Sequence, residues 1–596
     1  KQCEAARLYR DILDRFPGNR RAKLALNKVK SLNSFEAEEE KFFSELLNLI
    51  SIGEFEAVIR KIFSIGKKNT NSYTLFSILG AAQKGLGNFD EAQNSFREAY
   101  ELNPSNPEAC NNLGFILAEL GRYEEAIVHY KAAVKAAPDY FEAFNNLGNA
   151  LTKVGFLHEG IAAFEKSIEL KPNYEKAHSN LGNTLRESGQ IDRSIEYFKK
   201  AIEIKPNYPE AFSNLGISLL AKGQYAEAIK CFDKAIQLRP SFSEAHNNIG
   251  NAFKYLGKLS ESEAAYKRAM KLSPSFYEPF FNISLLRLKR KEWVAGWQGY
   301  EYRFDLKKDA VDKLIYQKPR WDKKFVEKLF VGGEQGVGDE IMFASCIDEL
   351  RHYTDRLIVS CDERLLPLYN RSFDQSISFI NKSSRISDDL FDSQISIGSA
   401  YGYLRQTNES FEARRMPYLK ADSKRRDDLR EKIESKLDGA SIIGISWRSS
   451  ASKDAKKRSL NLSDLANAIP KNFGLVNLQY GEVASDIESL AKVSGRKVLT
   501  NNDIDNFNHL DDFCALIQAC DLVVSIDNST VHFAGALGTK CHVLLPFSHQ
   551  SDWRWGLNGT PKSYHYANMY LHWQTKPEDW QSCLSDLNKK LRATYE

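Results

Sequence analysis

A glycine-rich turn followed by an aspartate marks the first candidate site in the C-terminal half of the sequence. The segment GGEQGVGDEIMFAS (332–345) follows an apolar run, and Gly333, Gly336 and Gly338 would let the backbone approach a ligand. Asp339 stands where a helix is expected to begin, so its carboxylate serves either as a helix cap or as a general base. The spacing fits neither a Walker loop nor GxGxxG, which disfavours a kinase or a dinucleotide enzyme.

A second junction, DLVVSIDNSTVHFAGALG (521–538), combines an apolar run with polar residues at the start of an expected helix. Exposed N–H groups and a hydroxyl at a helix start favour a diphosphate. The alternative is simple helix capping, with the histidine as a packed polar residue. The residues predicted to bind a phosphorylated ligand here are Asp527, Asn528, Ser529, Thr530 and His532.

Other predicted strand ends carry polar or basic side chains. Positive charge at the mouth of the same cleft would neutralise the phosphates of a leaving nucleotide. The alternative for the basic run is a solvated loop, the usual fate of charge runs. The candidates are Trp447 and Arg448 after SIIGIS, Lys457 and Arg458 in KKRS, and Gln479 after GLVNL.

The elements that would position these residues are short apolar runs that alternate with helical patterns from about residue 320. The first series is LFVGG (329–333), RLIVS (356–360), SISFI (376–380) and QISIG (394–398). A charged, helix-prone stretch at 420–437 leads to SIIGISW (441–447), GLVNLQY (474–480), RKVLT (496–500), DLVVSID (521–527) and CHVLLP (541–546). Two such series predict two Rossmann-like units whose ligands bind at the carboxyl ends of the strands.

The N-terminal half is organised by a period of 34 residues between 73 and 276. Four columns follow it: a first glycine from Gly80 to Gly250, a second glycine from Gly87 to Gly257, a small residue from Ala92 to Ser262, and a proline from Pro104 to Pro274. Each unit is predicted to be helix, turn, helix: the first glycine lets two helices approach, the second ends helix A, and the proline stops helix B. An aromatic column supplies the buried residue of helix B: Phe96, Tyr130, Phe164, Phe198, Phe232 and Tyr266.

Degenerate units are expected on both sides of these repeats. One lies at about 39–72, where Gly53 keeps the register, and one at about 277–305, where Ser284 replaces the first glycine. The aromatic segment EWVAGWQGYEYRF (292–304) is predicted to join the solenoid to the C-terminal half.

An asparagine column stands two residues before the position of the packing glycine in six consecutive units: Asn112, Asn146, Asn180, Asn214, Asn248 and Asn282. Two residues turn a helix by about 200°, so these side chains are expected to face the inner groove. An amide both donates to and accepts from a peptide group, so the column is predicted to hold an extended polypeptide. The alternative is that each asparagine only solvates the groove or bonds a neighbouring repeat.

The repeats closely resemble tetratricopeptide repeats, and the asparagine column is similar to that of the O-GlcNAc transferase solenoid. In the C-terminal half, GEQGVGDEIMFAS, KKRSL, LQYGE, DLVVSIDNSTVHFAGALG and DWRWG together resemble family 9, heptosyltransferase-like glycosyltransferases. That resemblance implies a GT-B fold, metal-independent transfer, a base at Asp339, a phosphate-neutralising site at Lys457 and Arg458, and a diphosphate helix at 527–532. The segment YANMYLHWQ (566–574) departs from the family pattern, which commonly has arginines before the glutamine.

The expected architecture is therefore a tetratricopeptide α-solenoid at 1–305, followed by a GT-B fold with Rossmann-like lobes at 306–425 and 426–596. We expect transfer of a sugar from a nucleotide-sugar to Ser or Thr of a protein held in the solenoid, with no cofactor or metal. The DxD pattern of Asp503 and Asp505 lies in a polar connector and is interpreted as a loop. Two alternatives stay open: a lipid-linked or polysaccharide acceptor, and a non-catalytic adaptor.

Composition narrows the class of protein. The 596 residues carry 82 Lys and Arg against 78 Asp and Glu, a balance that disfavours nucleic-acid or polybasic membrane binding. No stretch approaches the roughly 18 apolar residues of a membrane span. Nine cysteines without a CxxC pair favour reduced thiols and a cytoplasmic location.

Overall fold

The structure is a computed structural model that describes residues 23–24, 41–64, 72–306, 317–413, 415–437, 439–449, 458–501, 503–547, 553–557 and 559–595. The chain divides into two compact units, Lys1–Leu238 and Arg239–Glu596. The second unit contains the last repeats together with both predicted α/β lobes. The predicted domain boundaries near 305 and 425 stay predictions.

Paired helices build the first unit. After helical residues 41–51 the helices are α1 (Phe55–Ser64), α2 (Tyr73–Gly85), α3 (Phe89–Leu102), α4 (Pro107–Glu119), α5 (Tyr123–Ala136), α6 (Phe141–Lys153), α7 (Leu157–Leu170), α8 (Glu175–Glu187), α9 (Ile191–Ile204), α10 (Pro209–Ala221) and α11 (Tyr225–Leu238). The pairing continues in the second unit with α12 (Ser243–Tyr255), α13 (Leu259–Leu272), α14 (Glu278–Lys289) and α15 (Trp293–Tyr300). These bounds confirm the predicted helix-turn-helix period.

The glycine columns act as the sequence predicts. A Cβ atom at Gly216 would lie 2.6 Å from the ring of Phe232, and the same close approach joins Gly148 to Phe164. Gly223 has φ +83°, a left-handed value that favours glycine at the turn between α10 and α11. The aromatic column is buried throughout, so one close helix contact recurs in each repeat.

The first α/β lobe is a four-stranded parallel sheet in the order β3-β2-β1-β4. Its strands are β1 (Val326–Gly332), β2 (Thr354–Cys361), β3 (Ser378–Asn381) and β4 (Ser393–Ser396). Its helices are α16 (Val337–Ala344), α17 (Ile347–Leu350), α18 (Leu366–Ser372), α19 (Ile397–Leu404) and α20 (Asn408–Glu412). The predicted strand QISIG is wrong at its end, because Ile397 and Gly398 already belong to α19, where a buried Glu334 carboxylate accepts from the Gly398 N–H.

The second lobe follows α21 (Ser423–Leu437) and contains a six-stranded parallel sheet in the order β7-β6-β5-β8-β9-β10. Its strands are β5 (Ser441–Ser446), β6 (Phe473–Asn477), β7 (Val498–Leu499), β8 (Leu522–Ile526), β9 (Cys541–Leu545) and β10 (Met569–Trp573). Its helices are α22 (Leu462–Ala468), α23 (Ala484–Ser494), α24 (Leu510–Ala519), α25 (Ser529–Leu537) and α26 (Trp580–Tyr595). The order matches the doubly wound 3-2-1-4-5-6 arrangement, whose switch point lies between β5 and β8.

The aromatic segment at 292–304 is part of the core of the second unit. Trp297 is buried among Tyr401, Trp553 and Tyr300, and its indole donates to the Arg405 carbonyl at 2.7 Å. The predicted joining segment therefore packs inside the α/β part, and its Trp293, Trp297 and Tyr300 share one apolar cluster with residues of both sheets. Among the helices that the structure describes, none is long and apolar enough to span a bilayer.

Candidate functional site

A cavity of about 420 Å³ lies in the second unit, where the strands of both sheets end. Its lining comes from the turns that follow β1, β2, β5, β6, β7 and β8, together with the segment before β10. The carboxyl ends of parallel strands at a switch point are the usual ligand site of such folds. The lining includes residues 335–339, 506–507 and 527–529, and the side chains Arg364, Ser449, Arg458, Tyr480, Leu510, His532, Phe533 and Arg554.

Asp339 lies at the third position of α16 and lines the cavity. The helix cap is Gly336 rather than Asp339, so the capping interpretation of this carboxylate is wrong. Its Oδ1 accepts from the Nη2 of Arg554 at 2.5 Å, and the two side chains are only 20% and 13% exposed. The candidate base is therefore one half of an ion pair inside the cavity.

Close packing requires glycine at one of the three predicted positions and favours it at a second. A Cβ atom on Gly333 would lie 2.5 Å from the Ser360 carbonyl oxygen, and one on Gly338 would lie 3.1 Å from the His532 ring. Gly338 therefore lets α16 pack against α25, which brings the two candidate motifs together. Gly336 has room for a side chain, since its nearest neighbour is the Asp339 carboxylate at 3.8 Å.

The start of α25 is capped by Asn528, whose Oδ1 accepts from the Thr530 N–H at 3.1 Å. The amide of Asn528 also donates to Ser446 Oγ at 2.7 Å, which joins the ends of β8 and β5. Ser529 lines the cavity at the first position of the helix, whereas the Thr530 side chain is fully buried. The N-terminus of α25 thus opens into the cavity with its positive dipole end.

Asp527 is a buried carboxylate that positions its neighbours. Its Oδ1 accepts from the indole of Trp555 at 2.8 Å, and its Oδ2 lies 3.5 Å from Arg458 Nη1. Asp527 therefore does not cap α25; it holds the Arg458 guanidinium at the wall of the cavity. Lys457, the other predicted cation, lies outside the described residues.

His532 is buried beside the candidate base. Its Nδ1 lies 3.0 Å from the Tyr566 hydroxyl, and its ring stacks on Trp555. Burial, followed by the positive charge of Arg554, holds the pKa of His532 well below its usual range. The imidazole is therefore neutral near pH 7 and contributes a dipole to the site rather than a charge.

Four of the described residues that were predicted to bind the donor do not line the cavity: Thr530, whose hydroxyl is buried inside α25, and Trp447, Arg448 and Gln479. Trp447 is fully buried, and its indole donates to Asp486 at 2.8 Å. The Arg448 guanidinium turns toward the same Asp486 at 3.5 Å. Gln479 accepts from the backbone N–H groups of Trp447 and Arg448 at 2.9 and 2.7 Å, so it fixes the end of β5 instead of facing a ligand.

The structure adds an aromatic end to the cavity that the motifs did not indicate. The rings of Tyr480 and Phe507 lie 6.1 Å apart, and both line the cavity with the amide of Asn506. The Arg364 guanidinium lies 4.7 Å from the centre of the Phe507 ring and is bound by Asp362. This end lies beyond β6 and β7, away from Asp339 and Arg554.

The last helices of the solenoid series contact the glycine-rich turn directly. Gln335, which has φ +64° and lines the cavity, donates to the Tyr300 hydroxyl at 2.8 Å. Arg303 donates to the buried Glu334 carboxylate at 2.9 and 2.8 Å. The turn that carries Asp339 is therefore supported by residues 300–303.

Three members of the asparagine column, Asn146, Asn180 and Asn282, donate to an asparagine of the preceding repeat. Asn146 donates to Asn111 at 3.0 Å and Asn180 to Asn145 at 2.9 Å. In the second unit Asn282 donates to Asn247 at 3.0 Å. Each donor amide has a second N–H, so bonding to a neighbouring repeat and donating to a peptide are compatible, although the Asn146 oxygen also accepts from Asn145 at 3.4 Å.

Comparison with known proteins found relatives that match part of the chain. Protein FlbA of Caulobacter vibrioides is 29% identical over 268 residues, which cover 42% of this chain and 45% of FlbA; the chain thus spans less than half of that relative. The crystal structure of MamA is 28% identical and aligns to 28% of this chain and 97% of MamA, with a TM-score of 0.26. PilF of Pseudomonas aeruginosa is 19% identical and aligns to 35% of this chain and 94% of PilF, with a TM-score of 0.32.

Family models identify the repeats. Models described as tetratricopeptide repeat match residues 79–141, 141–174, 163–196 and 243–276, and a model described as TPR repeat matches 182–222 and 218–257. These matches confirm the predicted tetratricopeptide solenoid.

Proposed function

We propose that this chain is a metal-independent glycosyltransferase of GT-B type that moves a sugar from a nucleotide-sugar to Ser or Thr hydroxyls of a protein. The observation that carries the proposal is the cavity itself, which is lined together by the Asp339 carboxylate, the N-terminus of α25 and the guanidinium groups of Arg458 and Arg554. A carboxylate beside a cluster of positive charge is what transfer from a diphosphate requires.

The diphosphate would lie at the N-terminus of α25. The Ser529 N–H and the helix dipole favour an anion, and the Ser529 side chain adds a hydroxyl at the cavity wall. Arg458, held by Asp527, supplies a full positive charge on the β5 side. Lys457 precedes it in sequence and would add a second charge.

The order of the strands gives a direction for the donor. Neighbouring strands lie about 4.8 Å apart, so the ends of β6 and β8 are separated by roughly 10 Å. A nucleoside at Tyr480 and Phe507 would then place its diphosphate at the β5/β8 switch point and its sugar near Asp339. The nucleoside, diphosphate and sugar would then lie in the order in which they are bonded to one another in a nucleotide-sugar.

The reaction needs one proton acceptor and one anion site. The acceptor oxygen forms a bond to the anomeric carbon while the bond from that carbon to the diphosphate breaks. Asp339 takes the hydroxyl proton, and the electron pair leaves with the nucleoside diphosphate, which Arg458 and α25 stabilise. None of the steps of this scheme needs a metal ion.

The acceptor assignment rests on the solenoid. Tetratricopeptide repeats are protein-binding elements, and the asparagine column offers amide groups at each repeat. Stacked helices recur every 8 to 10 Å, about three residues of extended chain at roughly 3.3 Å each. Such a surface would bind backbone without selecting a sequence.

Donor turnover tests the proposal. The intact chain is incubated with UDP-, GDP- and CMP-linked sugars, with and without a purified acceptor protein, and release of the nucleotide is measured. We expect release that rises with the protein acceptor, is abolished in D339N, and persists in D348N, which removes an exposed carboxylate one helix away. Release that rises only with a lipid-linked or polysaccharide acceptor would assign that acceptor instead. No turnover of any donor would favour a non-catalytic adaptor.

A further inference from the structure

We propose that Arg554 exchanges Asp339 for the diphosphate of the donor, so that donor binding releases the base. This inference rests on the proposed function, since it describes how that site is regulated. The pairing of Arg554 with Asp339 is seen only in the folded cavity, because 215 positions separate the two residues in the sequence. Its role is to position the charge of Asp339 and to bind the leaving group.

Among the lining residues that the structure describes, each charged side chain pairs with an opposite charge of the protein. Asp339 pairs with Arg554, and Asp527 pairs with Arg458. The third cation of the lining, Arg364, is held by Asp362. An incoming diphosphate must therefore compete with a carboxylate for each guanidinium that it recruits.

The Asp527–Arg458 and Asp339–Arg554 pairs differ in the surroundings that each carboxylate has once its guanidinium moves away. Asp527 keeps its 2.8 Å bond from Trp555, and it is almost completely buried. Asp339 lies at the cavity surface with 20% of its side chain exposed, so water or an acceptor hydroxyl can replace the guanidinium. The Asp339 pair is therefore the one whose separation is chemically useful.

The backbone of Arg554 is anchored, which confines the exchange to its side chain. Its two neighbours are buried tryptophans: Trp553 packs on Trp297, and Trp555 stacks on His532 while it bonds Asp527. The Arg554 side chain therefore extends from a short helix, Trp553–Trp555, whose backbone is held in place at the wall of the cavity. A rotation of this long side chain can move its charge several ångströms without a change of fold.

The exchange explains how Asp339 can accept a proton from a neutral hydroxyl. A carboxylate that is bound by a guanidinium is a weaker base than one that is not, because the positive charge stabilises the ionised form. When Arg554 turns to the diphosphate, the carboxylate loses that charge at the moment when the donor is in place. Proton transfer is then tied to an occupied donor site.

Competition gives a test that does not depend on turnover. The intact protein is titrated with inorganic pyrophosphate, and binding is measured by calorimetry and by the fluorescence of the adjacent Trp553 and Trp555. We expect D339N to tighten pyrophosphate binding by about tenfold because the competitor is gone, and R554Q to weaken it by about tenfold or more. In the R554Q background, D339N should tighten pyrophosphate binding by less than it does in the wild-type background, because only the repulsion between charges remains to be relieved.

The exposed Asp348 provides the control for net charge, because D348N removes one negative charge outside the cavity and should change pyrophosphate affinity by less than about twofold. Equal or weaker binding by folded D339N would overturn the exchange, as would the absence of pyrophosphate binding by wild type and D339N. Far-UV circular dichroism verifies the fold of each variant. If the affinities shift as expected but no nucleotide-sugar is turned over, the proposed function fails and the exchange stands.

Discussion

Arg303→Ala is expected to destabilise the second unit more strongly than an ordinary charge deletion. Arg303 binds Glu334 with two hydrogen bonds of 2.9 and 2.8 Å, and Glu334 is only 1% exposed. After the substitution the buried carboxylate keeps the bond from the Gly398 N–H at 2.7 Å and has lost its counter-charge. Breaking one side of a buried pair costs about 3–5 kcal/mol, so we expect that decrease in the free energy of unfolding.

The assay is urea unfolding of the intact protein at pH 7, followed by tryptophan fluorescence, since Trp297, Trp553 and Trp555 all report on this unit. Arg426 provides the matched control, because it pairs with Asp427 at the surface of the same unit with 38% and 66% exposure. R426A should cost less than about 1 kcal/mol.

A double variant separates the charge from the packing. Replacing Arg303 by Ala and Glu334 by Gln removes both charges and keeps the packing defect of R303A, and it should recover part of the stability that R303A loses. A loss in R303A no larger than that of R426A would refute the claim that this pair is a buried structural element. Equal losses in R303A and the double variant would show that packing, rather than the stranded carboxylate, sets the cost.

Three further outcomes are expected. Gly216→Ala should cost about 1–3 kcal/mol in thermal unfolding, because its Cβ would lie 2.6 Å from the Phe232 ring; no loss would contradict the repeat packing. Burial lowers the pKa of His542 and of His565 to about 3, whereas in the unfolded chain it is about 6.5, so the unfolded chain binds these protons first as the pH falls. The free energy of unfolding should therefore decrease below about pH 6.5, by about 2 kcal/mol per histidine between pH 7 and pH 5. Equal free energies of unfolding at the two pH values would contradict this. Alanine at Asn146, Asn180 and Asn214 together should weaken binding of a protein acceptor. The control N111A removes only the inter-repeat partner of Asn146 and should not weaken it. Equal affinities of the triple variant and the wild type in equilibrium binding would exclude the column from the acceptor site.

The repeats could be predicted from the sequence because their packing is local and repeated. A glycine and an aromatic 16 residues later, such as Gly216 and Phe232, meet within one helix pair, so the period of 34 residues reveals the contact. The strands were visible for a related reason: parallel, buried strands are continuous apolar runs. The sequence does not predict β10, because MYLHW combines apolar residues with His572. The ring of His572 is buried in the fold, where it forms hydrogen bonds with His542 and Asp586.

The site was only partly predictable, since its key contacts join distant segments. The junctions at 335–339 and 527–532 do meet in one cavity, as strand-end motifs should. Arg554 was missed as the partner of Asp339 because nothing local in DWRWG indicates a contact across the cavity. Trp447 and Gln479 were assigned to the donor from their places at strand ends, yet one fills the core and the other fixes backbone. Strand-end position alone does not distinguish a ligand contact from a support.

The most direct test of the central claim is a crystal structure of the intact protein with a nucleotide-sugar that it binds. We expect the diphosphate at the N-terminus of α25, within hydrogen-bond distance of the Ser529 N–H and of Arg458, with the sugar beside Asp339. We also expect Arg554 to contact the diphosphate instead of Asp339. A nucleotide bound outside this cavity, or a diphosphate distant from α25, would contradict the proposed donor site.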